Sequence, residues 1–183
     1  SGDMRDQQST ETFIEIRGSV LNIDRCVFQN NHHMMPNSGH QIINALSDSL
    51  IFIKDTKYIN NAGFNGLFYI GDKSRINISN SFFINNKAIG KDSAGGCFEL
   101  SSNTSLFINN STFFNNSAGK GGVVAVHYSN DVQIFISNSS FQYNKAVPNM
   151  EARQNREQSL TTTRVRTEGQ DECDVMKLYM DLK

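Results

Sequence analysis

The sequence predicts an all-β fold, a parallel β-helix (solenoid) of about five coils with a nonrepetitive charged C-terminal tail, and three observations carry that prediction. A block of aromatic, two intervening residues and Asn recurs as Phe28/Asn31, Tyr58/Asn61, Phe83/Asn86, Phe113/Asn116 and Phe141/Asn144, at intervals of 30, 25, 30 and 28 residues. Seven residues before each aromatic stands an aliphatic with a second two positions on: Leu21 and Ile23, Ile51 and Ile53, Ile76 and Ile78, Leu106 and Ile108, Ile134 and Ile136. Such period-two alternation marks a strand with one buried face. The segments between are rich in Asn, Ser, Asp and Gly, which favour turns, and they show no helical periodicity.

A second short apolar run precedes each aliphatic pair, around Phe13, Ile43, Phe68, Phe98 and Val124 to Val126. Each unit therefore supplies two or three short strands. One unit has an inward face only a few side chains wide, so it buries a core only when coils stack and place like residues above like. The stacking predicts an internal column of Phe28, Tyr58, Phe83, Phe113 and Phe141 between aliphatic columns. Coils ~4.8 Å apart make a rod roughly 24 Å long.

The asparagines then acquire a role through their register. Asn31, Asn61, Asn86, Asn116 and Asn144 share one coil position, and Asn80, Asn110 and Asn138 share another. Asn tolerates left-handed backbone, and its amide can bond the coils above and below, so an asparagine ladder is expected. A compositional bias toward Asn accounts for their number but not for this register. Gly95-Gly96 and Gly121-Gly122 are expected to turn the chain into the next strand, where a side chain would obstruct. The feature degrades to Asn65-Gly66 and Gly39-His40 in earlier coils.

These blocks, FINNKA followed by GGCF, FFNNSA followed by GGVV, and a truncated FQYNKA, resemble the Phe-x-x-Asn and Gly-Gly-Ala-Ile repeat of chlamydial polymorphic outer-membrane proteins. Similar repeats occur in large surface proteins of ciliates and in bacterial adhesins. The resemblance spans roughly residues 13 to 147. It implies a right-handed, pectin-lyase-like β-helix acting as an extracellular passenger or stalk, often adhesive, and it designates no ligand.

Composition agrees with that expectation. A net charge of −1 with 19% charged residues offers no basic face for nucleic acid. No stretch is long and apolar enough to cross a bilayer and no signal peptide opens the chain. Any membrane attachment therefore belongs to parts of a parent chain not present here. The open ends of a β-helix need capping, which predicts a segment of a longer polypeptide. Composition shifts near Pro148: residues 148–183 hold 13 charged side chains in 36, against 22 in the preceding 147. The chain is accordingly divided into a repeat domain, 1–147, and a tail, cap or linker, 148–183. Within the tail, MEARQNREQSLTTTRVRTEGQ reads as solvated and CDVMKLYMDLK as a short helix or strand. Cys26, Cys97 and Cys173 cannot all pair within one chain. Cys26 aligns with Thr56, Ser81, Ser111 and Ser139 and is expected to be partly buried in the stack. A Cys26-Cys97 disulfide is unfavourable on spacing.

Several motifs bear on chemistry. N-glycosylation sequons begin at Asn77, Asn103, Asn109, Asn110, Asn115 and Asn138. Ladder asparagines are unavailable to a transferase, which leaves Asn103 in SSNTS as the expected glycosylation site. Polysaccharide lyases and hydrolases of the β-helix type demand convergent carboxylates, whereas Asp24, Asp48, Asp55, Asp72, Asp92 and Asp131 scatter over different coil positions. The expectation is therefore no catalytic residue, no metal and no cofactor. HHMM at 32–35 has soft ligands for copper but no counterpart in later coils, and with His40 and His127 it fixes no coordination geometry. Gly90-Lys91 and Gly119-Lys120 lack phosphate-loop spacing. The functional surface is expected on outward strand faces and on residues 32–41, 89–94 and 117–120. The expected partners are proteins, neighbouring coils or subunits of a larger assembly, or surface glycans. A carbohydrate-binding groove, for which Phe82, Phe114 and Tyr128 are the outward aromatic candidates, or a polysaccharide-degrading one, is the alternative to a purely structural or adhesive segment at the cell surface.

Overall fold

The computed structural model describes residues 13–32, 41–90, 93–127 and 131–146, and the strands Thr163–Glu168 and Tyr179–Asp181 as backbone. Among the described residues every element is a β-strand. The first coil contains β1 (Ile14–Arg17), β2 (Val20–Asp24) and β3 (Val27–Gln29). The second contains β4 (Ile43–Leu46), β5 (Leu50–Lys54), β6 (Lys57–Ile59) and β7 (Ala62–Gly63), and the third β8 (Phe68–Ile70), β9 (Arg75–Ser79), β10 (Phe82–Ile84) and β11 (Lys87–Ala88). The fourth holds β12 (Phe98–Leu100), β13 (Ser105–Asn109), β14 (Thr112–Phe114) and β15 (Ser117–Ala118), and the fifth β16 (Val124–His127), β17 (Val132–Ser137), β18 (Ser140–Gln142) and β19 (Lys145–Ala146). Two tail strands follow, β20 (Thr163–Glu168) and β21 (Tyr179–Asp181).

Each strand pairs in parallel with its equivalent in the coil above and below, which gives four sheets along the rod: β1-β4-β8-β12-β16-β21, β2-β5-β9-β13-β17-β20, β3-β6-β10-β14-β18 and β7-β11-β15-β19. About four full turns separate the first rung from the fifth. The pairings set Ile51 on Ile76, Leu106 and Ile134, and Phe83 on Tyr58 and Phe113, so like side chains superpose as the repeat requires. The aromatic column is continuous: ring centroids lie 4.6, 4.9, 4.7 and 4.7 Å apart from Phe28 to Phe141, with planes within 9° of parallel. Phe68 and Phe98 meet this column edge-on, at 5.2 Å from Tyr58 and 5.4 Å from Phe83, an arrangement favoured by the ring quadrupoles.

The asparagine ladder is fully formed and runs one way. The side-chain amide of Asn31 donates to Asn61 Oδ1 at 2.8 Å, and those of Asn61, Asn86 and Asn116 donate to Asn86, Asn116 and Asn144 Oδ1, each at 3.0 Å. The backbone N–H of each donor asparagine bonds the same oxygen. The second amide hydrogen returns to the carbonyl of Phe28, Tyr58, Phe83 or Phe113 one coil back. All these polar groups are thereby satisfied in the interior, as burial demands. A parallel ladder runs through Ser and Thr: the backbone N–H groups of Cys26, Thr56, Ser81 and Ser111 donate to the hydroxyls of Thr56, Ser81, Ser111 and Ser139.

Several expectations need correction. A coil has up to four strands rather than two or three, because Ser117–Ala118 and its equivalents pair as a fourth sheet, so residues 117 and 118 are not loop. The first strand begins at Ile14, which pairs with Ile43. Phe13 lies one residue out of register and is 72% exposed. Left-handed turns fall at two coil positions, at Asn80, Asn110 and Asn138, as expected, with φ 46–50°, and at the asparagine before the ladder residue, with Asn30, Asn60, Asn85 and Asn115 at φ 53–56°; the ladder asparagines themselves are not left-handed. Cys26 is exposed, not partly buried, because it sits on the end rung; it and the buried Cys97 are both free thiols. In the tail, residues 163–168 are a strand on β17 and residues 179–181 a strand on β16. Of the two readings for CDVMKLYMDLK, the strand is what is described at 179–181. Residues 33–40, 91–92, 128–130 and Cys173 lie outside the described residues, and with them most of HHMM, His40, Gly39, Asp92 and Tyr128.

Gly95 and Gly121 adopt φ of 59° and 60°, and a Cβ on either would collide with the carbonyl oxygens of Phe98 and Val124. Gly96 and Gly122 are required for close approach instead: a Cβ on Gly96 would strike the Gly122 carbonyl, and one on Gly122 the Lys145 backbone.

Candidate functional site

The inward faces are consumed by packing and ladders, so any recognition chemistry lies on the outward faces. The most developed is the outer face of the sheet containing β5, β9, β13 and β17. Its central outward column is set by the residue between each pair of inward aliphatics: Asn22, Phe52, Asn77, Phe107 and Phe135 stand in register one above another. Phe107 and Phe135 stack at 4.8 Å with planes 5° apart, and Phe52 is 40% exposed.

Asn77 interrupts this column. Two rungs, about 10 Å, separate the positions of Phe52 and Phe107, with Asn77 on the rung between them. The guanidinium carbon of Arg75, on the same strand as Asn77, lies 5.5 Å from the centroid of the Phe107 ring, a cation–π contact. Beside the column runs a groove of about 500 Å³ lined by the phenylalanines and by a second outward column in register, Lys54, Ser79, Asn109 and Ser137, two residues further along the same strands. Within it Asn109 Oδ1 accepts from Ser137 Oγ at 3.1 Å and from Asn138 Nδ2 at 3.4 Å. Rings, amides, hydroxyls and the Lys54 ammonium thus line one elongated surface held on strands.

A second, more open depression of about 570 Å³ lies around the turn asparagines Asn80, Asn110 and Asn138 and the outward Phe82, Thr112 and Ser140. Asn110 Nδ2 donates to Asn80 Oδ1 at 2.8 Å. Phe82 is exposed, as is Phe114, which meets Tyr143 edge-on at 5.3 Å.

The ionisable groups are dispersed. Asp48, Asp55, Asp72 and Asp131 all occupy left-handed turn positions, with φ between 36° and 60°, which gives these aspartates a conformational task. Arg17–Glu15, Arg25–Asp24 and Lys54–Asp55 pair on the surface at 2.9, 3.0 and 3.9 Å, contacts of little energetic weight. Among the described residues no three His, Cys, Asp or Glu side chains gather as a metal site; His32 is exposed, with a ring nitrogen 3.3 Å from the Asn60 carbonyl. Glu99, on the outward face of β12, is the exception to dispersal: burial pushes its carboxyl up to about 7, although the Gln41 amide at 3.0 Å and nearby Lys120 pull the other way. Burial likewise raises the Cys97 thiol, and burial followed by the nearby Cys26 raises the Tyr58 hydroxyl.

Among the sequon asparagines, Asn103 sits exposed in a turn at φ 58°. The side chains of Asn109, Asn110, Asn115 and Asn138 are instead engaged with neighbouring coils, and Asn77 lies in the aromatic gap. The column of Phe52, Phe107 and Phe135 was not singled out by sequence reasoning. Its signal was present: an aromatic between two inward aliphatics must point outward. Compared with known protein families, with curated proteins and with solved structures, the chain matches none.

Proposed function

We propose that this chain is a structural and adhesive β-helix segment of a larger extracellular or cell-surface protein, acting by binding and not by catalysis. The observation that carries the reading is the outward surface of the β5-β9-β13-β17 sheet, where aromatic, amide, hydroxyl and cationic side chains line an elongated groove on a ladder-locked rod. Such surfaces bind extended ligands because the scaffold holds the contacts in place before the ligand arrives. The likeness of the repeat to polymorphic outer-membrane proteins supports the surface location.

The test is capture by the purified chain of immobilised matrix proteins and polysaccharides, alongside variants with exchanged segments at 32–41, 89–94 and 119–120 and with altered outward phenylalanines. Capture lost on altering either surface supports adhesion. A chain that captures nothing sinks the adhesive reading and leaves a spacer. The groove also favours a second reading, carbohydrate binding. Its degradative form predicts new reducing or unsaturated ends on incubation with pectins, and their absence removes it.

A further inference from the structure

We infer that the outer face of the β3-β6-β10-β14-β18 sheet, together with the adjoining strands β11 and β19, is a docking surface for a bilayer rich in anionic phospholipid; the inference rests on the adhesive reading and names a partner for it. Alternation places two outward columns on this sheet, one either side of the inward rings: Val27, Lys57, Phe82, Thr112 and Ser140, and Gln29, Ile59, Ile84, Phe114 and Gln142. Val27, Phe82 and Phe114 are exposed and Ile59 and Ile84 half-buried, while Tyr143, at the next corner, is 67% exposed and meets Phe114 edge-on. Apolar side chains therefore reach the surface on all five rungs, over roughly 19 Å, and a continuous patch of this kind marks contact with an apolar phase.

The charges around the patch have one sign. Lys57 stands on one side of the Ile59 column; Lys87 and Lys145, two rungs apart in the outward column of the fourth sheet, stand on the other, beyond the asparagine corner. All three are exposed, and none forms an ion pair among the described residues. Residues 26–32, 56–63, 81–88, 111–118 and 139–146, which build these two sheets, contain no Asp or Glu. Glu15, Asp48, Asp72, Glu99 and Asp131 belong to the other two sheets and the turns joining them, and Asp24 and Asp55, at the corners before β3 and β6, contact Arg25 and Lys54. Arg164, Arg166 and Glu168 on β20 and Asp181 on β21 extend the sheets of β17 and β16. A chain of net charge −1 thus carries one cationic flank, and its field turns that flank towards a negative surface.

Lipid suits this flank better than other anions do. Its cations are lysines, whereas Arg17 and Arg75 lie on other sheets and Arg25 is held by Asp24. Protein interfaces enrich the guanidinium fork; an ammonium on a flexible apolar stem suits a diffuse headgroup layer. Phe82, Phe114 and Tyr143 stand in three different columns, so they make no file of platforms for stacked bases. A second copy of the chain would set lysines against lysines. The contact is peripheral and separate from any spanning anchor.

The experiment is flotation of the full chain with vesicles of phosphatidylcholine alone and of phosphatidylcholine mixed with phosphatidylserine, with polyglutamate and a single-stranded oligonucleotide as alternative ligands. One variant combines Lys57→Gln, Lys87→Gln and Lys145→Gln. A second combines Phe82→Thr and Phe114→Gln, giving each ring position the residue that the next rung already holds, Thr112 and Gln142; both variants should keep the parent melting temperature. The expected result is binding to the mixed vesicles and not to phosphatidylcholine alone, falling with salt. The lysine variant weakens it roughly hundredfold, about fivefold per lysine, the ring variant weakens it roughly tenfold, and Arg17→Gln leaves it unchanged. Equal binding to both vesicles, unaltered affinity in either stably folded variant, tighter binding of polyglutamate or the oligonucleotide, or no binding at all overturns the inference. So does binding that emerges only with Asp171→Asn, Glu172→Gln and Asp174→Asn together, which assigns the face to the chain's own acidic segment. The adhesive reading survives those results if the panel of matrix proteins and polysaccharides is still captured, and falls with them only if the unaltered chain captures nothing.

Discussion

The inward and outward columns of the β5-β9-β13-β17 sheet are one residue apart in sequence and follow opposite rules. Inward, Ile51, Ile76, Leu106 and Ile134 are nearly interchangeable and fully buried. Outward, Phe52, Asn77, Phe107 and Phe135 change chemistry from one rung to the next. Identity is enforced where each side chain must pack against its own counterpart one coil away, at interior density. Water fills the space beside an outward side chain, so a difference between neighbours leaves no void, and that is where the molecule has freedom to specify a ligand.

The largest expected effect breaks the inward rule. Asn86→Leu removes an acceptor for the Asn61 backbone and amide, a donor to Tyr58 O and a donor to Asn116 Oδ1. Urea unfolding should show a loss of about 3–5 kcal/mol, the range for disrupting a buried hydrogen-bond network; a loss under about 1 kcal/mol would mean the ladder is decorative. Glu99 tests whether an outward position can behave as an inward one. Its folded carboxyl titrates near 7, against 4.5 when unperturbed. The folded state thus holds the proton more tightly, and the associated stability is fully present below about pH 4.5 and lost as pH rises through 7. About 3 kcal/mol is at stake at most. Glu99→Gln should flatten that part of the pH–stability curve and be more stable than the parent at pH 8; an unchanged slope refutes the assignment.

Smaller changes sharpen the comparison by repairing it. Tyr58 is the only hydroxylated ring in the internal column, and its Oη has no hydrogen-bond partner among the described residues. Tyr58→Phe should stabilise the rod by about 1–2 kcal/mol, since a buried unsatisfied hydroxyl is removed at little cost in volume. Tyr143 occupies the turn position held by asparagine in the four preceding coils, at φ 56°. Tyr143→Asn should raise the melting temperature, by about 1 kcal/mol of stability, unless its edge contact with Phe114 outweighs the relief of backbone strain; a lowered melting temperature would reveal that.

How much was readable follows from the same rule. The Phe, Ile and Asn columns were legible because stacking coils imposes the same residue at the same height, and a repeat is the trace of that constraint. The fourth sheet was not, because strands of two residues such as Lys87–Ala88 are too short to show alternation. The Ser/Thr column was legible as a register, since Thr56, Ser81, Ser111 and Ser139 stand two residues before each ring, but its hydrogen bonds were not, because a small hydroxyl residue there reads equally as filler. Phe13 misled because an exposed aromatic beside Ile14 looks more like a core residue than the isoleucine does. The outward site left no repeat to find, since its rungs differ, although Ile51-Phe52-Ile53 and Leu106-Phe107-Ile108 placed the rings outside by alternation alone.

The one-way run of the asparagine ladder gives the rod a polarity that its sheets lack. Backbone bonds point both ways along the axis, as Lys57 to Cys26 O and Arg25 to Lys54 O illustrate, and sheet dipoles largely cancel. The interior ladder does not cancel: every amide from Asn31 to Asn116 donates toward Asn144, while the exposed pairs Asn110–Asn80 and Asn115–Asn85 point the other way. A coil can therefore extend this interior only with its asparagine facing the same way, so the stack grows in one orientation, like steps cut to a single tread.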